Sequence, residues 1–312
     1  MSNKTISASL IGIPVDLGAE MLGVSMGPQS LRFGGIVEKL RHVGINIEDL
    51  GDISAKTREE VEEGSPNLKH LKEIVRIAKE TAAIVEKEIK SGSKIVALGG
   101  DHTLSLGTVA GASKALNGNL GLIYIDAHGD FNTDKTTLSG NIHGMSLSAL
   151  VGLGSKELVD IYSKGAKIKV ENAMLVGATD LDPKEEELIK EVKLPTFDMM
   201  DILAKGFGDL FGMILNLSKR VDNIWISFDL DVVDGIYAPG VGIPNTGGLT
   251  HREIMAIAKY IGEKCNVVGV DIVEYNPTRD IEHKTADLAI EVGARMLGFD
   301  YSAYTKYMDT QK

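Results

Sequence analysis

Residues 121–130 read Gly-Leu-Ile-Tyr-Ile-Asp-Ala-His-Gly-Asp, and no other stretch limits the fold so strongly. Leu122, Ile123, Tyr124 and Ile125 form a short apolar run of strand-favouring residues. The run then breaks into Asp126, His128 and Asp130, three metal-type side chains spaced one residue apart. In an extended chain successive side chains alternate faces, so these three point the same way at the end of a strand. That is half of a metal site. Asp229 and Asp231 repeat the device after Trp225-Ile226-Ser227-Phe228. Two acid-tipped strands in one chain suggest one shared site.

The rest of the chain is patterned to carry such strands. Apolar runs over residues 6–13, 45–50, 94–98, 120–126, 173–177, 194–197, 223–229 and 267–272 alternate with helical stretches. This is the signature of a parallel α/β sheet of about eight strands, covered on both faces. One helix is expected over residues 28–42, with Pro28 in its first turn. An amphipathic helix is expected over 68–90, and the charged segment 56–64 reads as a solvated excursion. Gly18, Gly23 and Gly27 punctuate a long first loop that can approach a ligand closely.

The 312 residues, 43% of them hydrophobic, can bury a large core, and no linker or repeat divides them, so one domain over 1–312 is expected. A net charge of -11 argues against sequence-independent binding to nucleic acid or to an acidic membrane surface. Cys265 is the only cysteine, so no intrachain disulfide can form, as suits a reducing compartment. No apolar run is long enough to span a bilayer and no signal sequence precedes the first strand; a soluble, cytoplasmic protein is expected.

In an open parallel sheet, ligands bind beyond the carboxyl ends of the strands. His102, Asp126, His128, Asp130, Asp229, Asp231 and Glu274 all fall just past predicted strand ends. Any one of them alone would be structural more often than functional; the constellation carries the weight. Two histidines and four aspartates suffice for two ions sharing bridging carboxylates, and four negative charges match two divalent cations. One imidazole per ion among hard carboxylates, with no sulfur, suits Mn²⁺ better than Zn²⁺. A water between two such ions becomes a hydroxide at neutral pH, positioned to attack an electrophilic carbon. No Ser-His-Asp or Cys-His arrangement competes with direct water attack.

The motifs GGDH (99–102), DAHGDFNT (126–133), SGNIHGM (139–145), SFDLDVVD (227–234), APGVG (238–242), GGLT (247–250) and DIVEYNP (271–277) resemble, in order, the signatures of the ureohydrolases, the family of arginases and agmatinases. The bacterial arginases are the nearest match, from Ile11 to about Gly298. The resemblance implies the three-layer arginase/deacetylase-like fold, a centre of two Mn²⁺ per subunit and hydrolysis of L-arginine to L-ornithine and urea. It also implies a homo-oligomer, a trimer or hexamer.

Carried over residue by residue, the resemblance implies one manganese on His102, Asp126, Asp130 and Asp229, and the other on His128, Asp126, Asp229 and Asp231. Glu274 would pair with the substrate guanidinium. His143 would shuttle protons between solvent and the leaving amine, a task that suits an imidazole, and Asp130 could pass on the water's proton. Asn132 and Ser139, with Asn141, would read the amino-acid carboxylate, and Asp182 and Glu185 the α-amino group. The SGN run before His143 is arginase-like, which favours L-arginine over agmatine. Met21 and Leu22 stand where bacterial arginases usually carry basic residues, Ile243 where they carry threonine, and Val232, Val233 and Gly235 replace a GLDP ending. Two alternatives stay open, a ureohydrolase for agmatine or another guanidino acid, and a metal-bearing protein that binds a guanidino ligand without turning it over.

Overall fold

A computed structural model describes residues 6–299. The expectation of one domain over 1–312 therefore includes terminal residues that lie outside the described ones. Each of the eight predicted segments forms a strand: β1 (Ile6–Ile13), β2 (Ile45–Asp52), β5 (Lys94–Gly99), β6 (Gly121–Ile125), β7 (Ala173–Val176), β8 (Thr196–Phe197), β9 (Ile224–Asp229) and β10 (Val267–Val273). They build one parallel sheet in the order β2-β1-β5-β10-β9-β6-β7-β8. Two further short strands, β3 (Gly64–Ser65) and β4 (Leu68–Lys69), pair antiparallel in a hairpin apart from the sheet.

Alternation along the strands builds two apolar layers. Val96, Ile123, Ile125, Ile226 and Phe228 face one layer, whereas Ile95, Ala97, Leu122, Tyr124 and Trp225 face the other. The first layer is closed by the helices Phe207–Arg220, His251–Lys264 and Lys284–Met296, the second by Leu71–Lys90 and Ser105–Ala115. The result is the three-layer α/β sandwich expected of this pattern. Each Leu or Ile buried in it contributes roughly 1.5–3 kcal/mol.

Two helical expectations need correction. The segment 28–42 is two helices, Gly27–Phe33 and Ile36–His42, because Gly35 takes φ 83, a left-handed conformation that ends one helix and redirects the next. The long amphipathic helix starts at Leu71 rather than 68, since Leu68 and Lys69 are used by the hairpin. Among the described residues, no helix is long and apolar enough to cross a membrane.

Candidate metal centre

The four central strands of the sheet, β5, β10, β9 and β6, are neighbours, and every metal-type residue expected from the sequence sits just beyond one of their carboxyl ends. His102 follows β5, Glu274 follows β10, Asp229 ends β9 with Asp231 next to it, and Asp126, His128 and Asp130 follow β6. The chain leaves three of these strands by one device, in which an aspartate accepts a hydrogen bond from the backbone N–H two residues on. Asp101 accepts from Thr103 N at 2.9 Å, Asp126 from His128 N at 2.7 Å and Asp229 from Asp231 N at 2.8 Å. The turn spends one carboxylate oxygen of each aspartate; the other oxygens of Asp126 and Asp229 face His102 Nδ1, whereas that of Asp101 accepts from Gly18 N.

The extended-chain argument for Asp126, His128 and Asp130 needs amendment, since the strand stops at Ile125. Asp130 is swung back by its own backbone, with φ 47, and Glu274 takes φ 63. Left-handed backbone at two non-glycine residues of one cluster costs of order 1–3 kcal/mol each. Such strain persists where the surroundings impose it, as Tyr124 Oη does by donating to Asp130 Oδ2 at 2.6 Å and Gly100 O by accepting from Glu274 N at 2.9 Å.

Two donor sets result, His102 with Asp126 and Asp229, and Asp126 with His128 and Asp231. His102 Nδ1 lies 2.9 Å from Asp126 Oδ2, 3.1 Å from Asp229 Oδ2 and 3.3 Å from Asp130 Oδ2. His128 Nδ1 lies 3.4 Å from Asp126 Oδ1 and 3.1 Å from Asp231 Oδ2. Asp126 is common to both sets, one oxygen toward each imidazole. Asp229, expected to bridge as well, stands in the first set, and its other oxygen accepts from Asp231 N.

Hydrogen bonding fixes which nitrogen of His102 is free. Asp271 Oδ2 accepts from Ser227 Oγ at 3.0 Å, from Trp225 Nε1 at 2.9 Å and from Thr108 Oγ1 at 3.1 Å. Since Ser227 donates to that carboxylate, its oxygen can only accept from His102 Nε2, 2.8 Å away. In the neutral ring the lone pair of His102 is therefore on Nδ1, aimed among three carboxylates. Nδ1 and Asp126 Oδ2 are both buried without a hydrogen-bond partner of acceptable direction. Two orphaned electron-pair donors facing one point are what a cation would satisfy.

Electrostatics make the same demand. Burial, with the neighbouring Asp126 charge, pushes the Asp130 carboxyl up to about 7. Burial and Asp231 hold Asp229 well above the usual carboxylate range. Burial opposes charge on both imidazoles, yet Asp126 and Asp229 raise His102, and Asp231 and Asp126 raise His128, far above an ordinary histidine. Protons are thus retained because six close donors need positive charge, and divalent cations would replace those protons.

The sequence matches the arginase family profile over residues 6–298. It is 40% identical over 297 residues to an arginase of Brevibacillus brevis, covering 95% of this chain and 98% of that one. The native structure of the Bacillus caldovelox arginase superposes with a TM-score of 0.90 at 38% identity, covering 94% of this chain and 98% of that one. An Entamoeba histolytica arginase solved in complex with L-ornithine gives a TM-score of 0.87 at 30% identity, with 94% and 99% covered. The chain belongs to the arginase family.

In this arginase-family hydrolase the donor sets lie at the base of a cleft of about 370 Å³. His128, Asp130, Asp229 and Asp231 line it, together with His143 and Glu274, whereas His102 and Asp126 do not reach its wall and are almost wholly buried. Glu274 Oε1 accepts from His102 N at 3.0 Å and stands 3.5 Å from His143 Nδ1. Burial works against a charged ring at His143, but the Glu274 carboxylate outweighs it and raises the imidazole to about 9.

All five residues expected to read the substrate's amino-acid end, Asn132, Ser139, Asn141, Asp182 and Glu185, line the same cleft. Several are already engaged. Asn132 Nδ2 donates to Asp182 Oδ2 at 2.9 Å, while Glu185 accepts from Phe131 N at 2.7 Å and from Asp182 N at 3.1 Å. Burial lifts Glu185 to about 6. Met21 and Ile243 add an apolar, exposed part of the wall; Leu22, 58% exposed, does not line the cleft.

The residues that sequence reasoning passed over are the ones behind the donors, namely Tyr124, Ser227 and Asp271. Tyr124 also stacks on His102 with ring centroids 4.2 Å apart. Asp271, the first residue of DIVEYNP, was there to be read, but only a fold can pair it with Ser227 of the neighbouring strand. Asp271→Asn should weaken metal binding about 10–100-fold, the usual cost of losing an outer partner of a ligating histidine. Competition with a metal indicator would measure it, and unchanged affinity would remove Asp271 from this role.

Proposed function

We propose that this chain hydrolyses L-arginine to L-ornithine and urea at a centre of two Mn²⁺ ions. The observation that carries the reading is Asp126 shared by two donor sets at the base of a cleft whose walls hold Asn132, Ser139 and Asp182. His102, Asp126, Asp130 and Asp229 would hold one ion, and His128, Asp126 and Asp231 the other. The oxygen-rich donor set favours Mn²⁺ among the divalent metals that accept imidazole. When bound, such a pair lowers the pKa of a water far enough for it to attack at neutral pH.

The chain's own groups supply the rest. Glu274 receives the guanidinium as a charge-assisted pair and so sets its carbon against the water. Attack forms the carbon–oxygen bond, cleavage breaks the bond to the alkyl nitrogen, and one water proton ends on the departing amine. Asp130 would take that proton at its carboxylate and pass it on. His143 holds a proton at neutral pH because of Glu274, and delivers it to the amine or returns it from solvent. Asn132 and Ser139 would orient the substrate carboxylate, with Asn141 supporting that loop, and Asp182 with Glu185 would orient the ammonium. By the same resemblance the subunits assemble as a trimer or hexamer.

A second reading draws on Met21 and Ile243. Their apolar side chains add no charge to the wall, and a guanidino compound lacking the carboxylate, such as agmatine, would meet less discrimination there. The deciding experiment is a substrate panel with Mn²⁺-loaded protein and urea as readout. L-Arginine should give the highest kcat/KM; agmatine above arginine would shift the assignment. Absence of urea from every guanidino substrate at full metal occupancy would leave only the binding-protein alternative.

A further inference from the structure

The charged excursion before the long amphipathic helix touches both loops that wall the cleft. Its polar contacts are too many for a passive connection. The first loop bears Ala19, Glu20 and Met21 on the cleft, and its backbone carbonyls converge on one guanidinium. Arg58 donates from Nε to Asp16 O at 3.2 Å, from Nη1 to Glu20 O at 3.1 Å, and from Nη2 to Asp16 O at 2.8 Å and to Ala19 O. The planar fork of a guanidinium meets these three carbonyls with its donors already pre-arranged. Arg58 is itself fixed by a short helical turn, Arg58–Glu60, in which Glu60 accepts from Thr57 N at 2.8 Å.

The second loop, residues 134–141, meets the other end of the excursion. Lys69 N donates to Gly140 O at 3.1 Å, and Asn67 Nδ2 donates to Asp134 O at 3.0 Å. Gly140 has φ +78, and a Cβ there would stand 1.7 Å from Pro66 O, so hairpin and loop meet backbone to backbone. A polar cavity of about 310 Å³, bounded by Arg58, Lys69, His70, Glu20 and Asn141, lies behind both loops. A loop released from its tie has that space to move into.

We propose that residues 57–69 act as a brace that fixes the two cleft loops, with Arg58 as the positioning residue that sets selectivity among guanidino substrates. The proposal rests on the reading of the cleft as a site for a guanidino amino acid. The half of the first loop nearest the metal donors has its own tie, since Asp101 Oδ2 accepts from Gly18 N at 2.7 Å and Gly18 O accepts from His143 N at 3.2 Å. Loss of Arg58 therefore falls on Asp16 and residues 19–21 and not on the donor cluster. Substrate positioning suffers while the reacting groups stay in place.

The test compares wild type with Arg58→Ala, and with Arg58→Lys as the variant that keeps stem and charge, all loaded with Mn²⁺. In Arg58→Ala, KM for L-arginine should rise about ten-fold with kcat within about two-fold and metal content unchanged, the pattern of lost ground-state positioning. The ratio of kcat/KM for arginine over agmatine should fall at least about five-fold, because agmatine makes less use of the braced loops. Arg58→Lys should lie between the two, and carries the same test if Arg58→Ala does not fold. Unchanged KM and unchanged ratio would overturn the brace, as would a fall in kcat that tracks loss of metal. Should the wild type hydrolyse neither compound, the substrate reading fails alone, and hydrogen exchange in residues 16–21 still decides. Faster exchange in the variants upholds the brace, and identical exchange sinks it.

Discussion

Asp126→Ala is expected to bind neither metal ion and to release no urea from arginine. Its two oxygens face the two imidazoles separately, at 2.9 Å from His102 and 3.4 Å from His128, and no other side chain belongs to both donor sets. The loss of metal affinity should exceed the roughly 100-fold that marks the upper end for outer partners. Asp231→Ala is the informative comparison, because it spoils only the set built on His128. Metal analysis should find about one ion per chain in that variant and none in Asp126→Ala; equal occupancy in the two would dissolve the idea of a shared carboxylate.

His143→Ala should behave in the opposite way, keeping its metals and losing kcat by about 10²- to 10⁴-fold, the range of a lost general acid or base. The ring belongs to neither donor set; its near neighbour is Glu274, 3.5 Å away, and its side chain is 24% exposed at the cleft. The imidazole titrates near 9, so it carries a proton at neutral pH and gives it up only as the pH climbs through that value. Removing it takes a proton carrier from the mouth of the cleft and leaves the floor alone. Metal release comparable to that of Asp126→Ala would show instead that His143 supports the donors.

Much of this was legible in the linear chain. The eight apolar runs, the acids at their ends and the histidines among them are local features, readable because a strand announces itself over five or six residues. Misreadings arose where local pattern and global packing part. The Gly34-Gly35 break is invisible to apolar periodicity, since leucines and isoleucines continue on both sides of it. The excursion 56–64 is largely exposed, as its charges suggest, but no local pattern could show that Arg58 spends its charge on backbone carbonyls of another loop.

The sequence by itself determined the strands of the main sheet and marked the candidate donors. Asp126, His128, Asp130, Asp229 and Asp231 each lie within two residues of a companion, and short-range spacing is enough to mark them. Tertiary structure alone decided which donors meet. Strands far apart in sequence, β5, β10, β9 and β6, become neighbours only through crossovers, and that order puts His102 against Asp126 and Asp229 and sets Asp271 behind Ser227. The physical reason is that side-chain alternation fixes the face on which a residue sits, whereas helix packing on both sides of the sheet fixes which strand lies beside which.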